Sequence, residues 1–111
     1  MELKELLSFI ETEDQRLATH YGPMDQEKRT LARTVKLSKE MGELCEQILA
    51  HNNLQRKSKL DSIEKEKLPE EFADVIITTL LVAKSMNIDI VSALKEKTDK
   101  INKRYDHQKA L

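Results

Sequence analysis

A chain of 111 residues with 39% hydrophobic side chains supports one modest core and leaves nothing for a second domain, so residues 1–111 read as a single unit. With 19 basic and 20 acidic side chains and a net charge of -1, there is no bulk electrostatic reason to expect nucleic acid or an anionic membrane as a partner. Two glycines and two prolines beside 35% charged residues suit long helices and starve hairpins of turn residues, which predicts an all-α fold.

Leu3, Leu6, Leu7, Ile10 and Leu17 fall near helical spacing and predict a first helix from about Glu2 to Thr19, broken by Tyr21-Gly22-Pro23. A second helix starts after Pro23 with Asp25 as its cap and runs to about His51. Leu31, Val35, Ser38, Gly42, Cys45 and Leu49 share its centre line, and Leu37, Met41, Leu44 and Ile48 widen the apolar arc. Cys45 has no second cysteine to pair with and reads as a buried thiol. Gly42, unfavourable in a helix interior, predicts a backbone approaching closely there.

Asn52 to Lys67 is polar and reads as a mobile connection. Pro69 suits the first turn of a third helix that extends to about Met86. Val75 to Ala83 holds no charge, so that helix is apolar nearly all round and needs cover on more than one side. At about 100° per residue, Phe72, Val75, Ile76, Thr79, Leu80 and Ala83 form one stripe, the expected core stripe. Glu71, Asp74, Thr78, Leu81, Val82 and Ser85 form a second. Asn87-Ile88-Asp89 is a turn with Asp89 as cap, followed by a fourth helix from about Ile90 to Tyr105. The compact arrangement is a four-helix bundle. No apolar run approaches the roughly 20 residues of a membrane span, and the acidic start is unlike a signal peptide, so a cytoplasmic setting is expected.

Acids three residues apart recur at Glu2/Glu5, Glu11/Asp14, Glu40/Glu43, Glu43/Glu46, Asp61/Glu64 and Glu71/Asp74, and most of these read as solvated faces. Context separates two of them. Glu71/Asp74 opens the apolar run, and Glu40/Glu43 brackets Gly42 in the widest amphipathic helix. Residues at i and i+3 share a helical face, so antiparallel packing of helices two and three brings four carboxylates together. Like charges that close demand cations. All-oxygen ligands favour Mg²⁺, with Mn²⁺ as substitute, whereas nearby lysines offer a structural salt-bridge cluster instead. His20, His51 and His107 stand alone, there is no Gly-rich phosphate loop, and no serine or cysteine has a base partner.

Lys36-Leu37-Ser38-Lys39-Glu40-Met41-Gly42-Glu43-Leu44, followed by Glu70-Glu71-Phe72-Ala73-Asp74-Val75-Ile76 and a tail Glu96 to Tyr105, resembles the signature of the MazG-like all-α nucleoside triphosphate pyrophosphohydrolases. The resemblance covers about residues 30 to 105 and implies an enzyme that cleaves a nucleoside triphosphate to monophosphate and pyrophosphate. It implies Mg²⁺ held by Glu40, Glu43, Glu71 and Asp74, with Glu40 or Glu43 taking a proton from water, and Lys97 and Tyr105 near the phosphates. Lys39 and Ile101 depart from the acid and the asparagine that relatives often carry there. There is no tryptophan to stack a base, so Tyr21, Phe9 or His20 inherits that contact. The alternatives are a non-catalytic helical oligomer or partner-binding bundle, and a related phosphoribosyl-nucleotide pyrophosphohydrolase. The excess of apolar surface on helices two and three predicts a homodimer or homotetramer, with Leu81 and Val82 in an interface beside Asp74.

Overall fold

The computed structural model describes residues 1–52 and 67–110, with side chains described through Asp106. The expected mobile connection, apart from its two ends, lies outside the described residues. Four helices account for almost all of the rest: α1 (Leu3–Tyr21), α2 (Gln26–His51), α3 (Leu68–Ser85) and α4 (Ile90–Ala110). The fold is all-α, as composition and periodicity predict, and no strand occurs among the described residues. No single helix among them is long and apolar enough to cross a membrane.

Each junction follows from local chemistry. Gly22 takes a φ of 79°, a conformation that side chains with a Cβ rarely adopt, and ends α1 two residues later than the spacing predicts. Asp25 caps α2 as expected, its carboxylate accepting from the Lys28 backbone N–H at 2.8 Å. Pro69 sits in the first turn of α3, where its missing N–H costs nothing. Asn87 adopts a φ of 56° after α3. There the Ile88 N–H donates to the Ala83 carbonyl at 3.0 Å and the Asn87 N–H to the Lys84 carbonyl at 3.1 Å, the paired bonds of a Schellman stop. Asp89 then caps α4 through the Ser92 backbone N–H and hydroxyl, so the chain turns by 113° between the last two helices.

Packing is concentrated between α2 and α3, with α1 laid across α3. The two central helices run antiparallel: Gln26 and Thr30 at the start of α2 bond to Ser85 at the end of α3. Among the described residues Ile10, Ala50 and Leu81 are the buried apolar ones, and Arg33, Glu40, Thr78 and Ser85 are buried with them. From Val91 to Asp106, every α4 side chain is exposed.

The faces of α3 are the reverse of the sequence expectation. The expected core stripe lies outward at Phe72, Ile76 and Thr79, with 47% of Phe72 and 53% of Ile76 exposed. The second stripe, with Glu71, Asp74, Thr78, Leu81 and Ser85, faces α1 and α2 instead. Leu81 is therefore a core residue, not part of an interface. Polar partners explain the inversion. Arg33 reaches the Leu81 carbonyl at 3.0 Å, and the Thr78 and Ser85 hydroxyls donate to carbonyls of their own helix, so these three polar groups are matched on burial. The centre line of α2 is bare too: Leu31, Val35, Ser38, Gly42 and Leu49 are exposed. Cys45 is exposed rather than buried. A Cβ at Gly42 would meet nothing within 4 Å, so among the described residues no backbone approaches it.

Candidate metal centre

The amphipathic phase of α2 carries Arg33, Lys36, Glu40 and Glu43 toward α3, whose first turns present Glu71 and Asp74. One carboxylate oxygen from each of Glu40, Glu43 and Glu71 lies within 4.8 Å of the other two. Asp74 falls outside that close group and lines the cleft beside it, near enough to Glu40 for mutual repulsion. Among the predicted ligands, then, three converge and the fourth flanks them.

The carboxylates are not equivalent. Glu40 is 6% exposed; its Oε1 accepts from Lys36 Nζ at 3.1 Å, while its Oε2 is buried without a partner. Glu71 Oε2 is buried and unpartnered in the same way. Glu43 is more open and has a loose pair with Lys39 at 3.8 Å. Loss of water around Glu71, then repulsion from Glu43, Asp74 and Glu40, pushes its carboxyl above the ordinary range. Loss of water also raises Asp74, with Glu40 and Glu70 adding to it and Lys36 opposing. The hydrogen bond to Glu40 holds Lys36 above its usual value. Two buried carboxylate oxygens without a donor, on side chains of one converging group, are costly unless a cation completes them. The donor set is all oxygen, which fits a hard divalent ion.

Beside the carboxylates a cleft of about 700 Å³ opens between α1, α2 and α3. Leu17, Met24, Ile77 and Leu81 give it apolar walls, Arg29, Arg33 and Lys36 give it positive charge, and Glu40 and Asp74 stand at its acidic end. Tyr21 lines it, whereas Phe9 and His20 do not. The His20 ring instead meets the edge of Tyr21 at 4.7 Å between centroids. Lys97 and Tyr105 are exposed on α4 and join neither the carboxylates nor the cleft.

Two features escaped sequence reasoning. Arg33 is buried, pairing with Asp14 Oδ1 at 2.7 Å, and Lys84 pairs with Glu11. Asp14 thus anchors α1 through a largely buried pair instead of standing on a solvated face, while Glu11 stays exposed and meets Lys84 from the solvent side. The available signal was the row Arg33, Lys36 and Glu40, which share one helical stripe.

No curated protein and no solved structure matches the chain. The family description "MazG nucleotide pyrophosphohydrolase domain" matches residues 26–109, a span that begins with α2 and holds all the convergent carboxylates and the whole of α3. With three quarters of its length so matched, and with the acids of both helices brought to one place, the chain belongs to the MazG nucleotide pyrophosphohydrolase family.

Proposed function

We propose that the chain is a Mg²⁺-dependent hydrolase that converts a nucleoside triphosphate to its monophosphate and pyrophosphate. The observation that carries this reading is the pair of buried, unpartnered oxygens, Glu40 Oε2 and Glu71 Oε2, within a group of carboxylates that also includes Glu43. Glu40, Glu43 and Glu71, with Asp74 at the flank, are the residues that would hold the ion. When bound, such an ion supplies neutralising charge for a triphosphate and makes water more acidic.

The chain's own residues do the rest. The apolar walls of the cleft accept the nucleoside and exclude water from it, with Tyr21 as the aromatic contact. Arg29 and Arg33 are held in place by the Met24 carbonyl and by Asp14, which keeps positive charge beside the substrate without mobile lysine stems. Water attacks the α-phosphorus, the bond from that phosphorus to the bridging oxygen breaks, and pyrophosphate leaves with the bonding electrons. Glu43 is the residue to take the water's proton, because Glu40 is committed to Lys36 through one oxygen while Glu43 is open and loosely paired.

A second copy of the chain completes this reading. Phe72 and Ile76 on α3, Leu31 and Val35 on α2, and Leu94 and Ile101 on α4 are exposed apolar side chains, more than a small protein leaves bare. A two-fold dimer covers them. The protein works in the cytoplasm on this view.

The deciding experiment incubates the protein with Mg²⁺ and a panel of canonical and damaged nucleoside triphosphates, and reads pyrophosphate and orthophosphate separately. Pyrophosphate as first product is expected. Orthophosphate as first product, or no turnover with any triphosphate, would sink the reading; turnover of a phosphoribosyl-nucleotide alone would redirect it.

A further inference from the structure

We propose that Lys36 is the resident counter-ion of the carboxylate group, occupying Glu40 in the metal-free protein and competing with the divalent cation for it. The inference rests on the metal reading above and adds what this chain does when the ion is absent. Lys36 Nζ lies 3.1 Å from Glu40 Oε1, while the second oxygen of the same carboxylate is buried and has no partner. One carboxylate thus has one end satisfied by an internal cation and the other end waiting for a cation. Glu40 is also the most buried member of the group, the one whose charge most needs cover.

The two cations cannot share Glu40 without repelling each other. Lys36 is free to yield, because 56% of its side chain is exposed and nothing else in the described structure holds its ammonium. It already lines the cleft with Arg33 and Asp74, so displacement leaves it at the cleft wall, where a polyphosphate offers it new acceptors. Lys39, by contrast, lies 3.8 Å from Glu43 with both side chains open to solvent, and it makes the natural control.

The test titrates Mn²⁺ into the parent, Lys36→Met, Lys36→Arg and Lys39→Met, reading both melting temperature and heat of binding. Lys36→Met should melt below the parent without Mn²⁺. It should also reach half-saturation at a concentration about two- to fivefold lower, the size expected for an exposed pair that must be broken. Lys36→Arg should stay near the parent, and so should Lys39→Met. A Lys36→Met midpoint equal to or above that of a responding parent overturns the competition, the second outcome meaning that Lys36 orients Glu40 for the ion. A parent that binds no Mn²⁺ removes the metal reading itself, and this inference with it.

Discussion

Arg33 and Asp14 close a 2.7 Å ion pair that joins α2 to α1, and the same guanidinium donates to the Leu81 carbonyl of α3 at 3.0 Å. One side chain thereby ties three helices together beside the carboxylates. Arg33→Leu removes the tie and leaves Asp14 and the Leu81 carbonyl short of a partner. The expected loss is about 3 kcal/mol, the scale for breaking a largely buried pair, or a melting temperature lower by about 15 °C. Arg33→Leu combined with Asp14→Leu should cost less than the two single changes summed. Strict additivity in chemical denaturation would show that the pair has no energetic coupling.

Glu71 carries a charge that is short of water and crowded by four other acids, Glu43, Asp74, Glu40 and Glu70. Glu71→Gln removes that repulsion while keeping the shape, so the metal-free variant should melt at or above the parent. Its turnover should fall by more than about 100-fold, with the Mg²⁺-induced rise in melting temperature lost as well. A variant that melts well below the parent without metal would instead mark Glu71 as part of a structural network.

Asp89 caps α4 with two acceptor contacts to Ser92, and these hold its carboxyl below the ordinary range. A lowered folded value means that the unfolded chain binds more protons between the two values, so stability rises with pH across that window. The contribution is complete above the unfolded value of about 3.9 and is lost as pH falls through the folded value. Asp89→Ala should therefore melt below the parent at pH 6, with the gap closing as the pH is taken below 4. A gap that is constant with pH would mean the cap acts without its charge.

Ile76 and Leu81 lie on the same helix and should respond in opposite ways. Ile76 is 53% exposed on the bare face, whereas Leu81 is 8% exposed in the core. Ile76→Glu should leave a folded chain that light scattering at micromolar concentration finds smaller than the parent, with reduced activity. Leu81→Glu should unfold the chain, because it buries an unpaired charge. A parent that is monomeric and fully active would show that the outward apolar face is not an interface.

Much of this protein is decided by local chemistry, and there the sequence was sufficient. Helix existence, the caps at Asp25 and Asp89, the break at Gly22 and the first-turn Pro69 depend on neighbours within a few residues. The antiparallel approach of Glu40 and Glu43 to Glu71 was legible for a related reason, since acids at the edge of apolar stripes are carried wherever the stripes pack. What only the tertiary structure decided was which side of α3 faces inward. Both of its stripes are apolar enough to be buried, so periodicity could not choose between them. The choice came from long-range polar partners: Arg33 for the Leu81 carbonyl and Thr30 for Ser85. Those pairs join residues some 50 positions apart, and no pattern within one helix encodes them. The same inversion took Leu81 into the core, left Phe72 and Ile76 outside, and set Asp74 beside the three convergent carboxylates rather than among them.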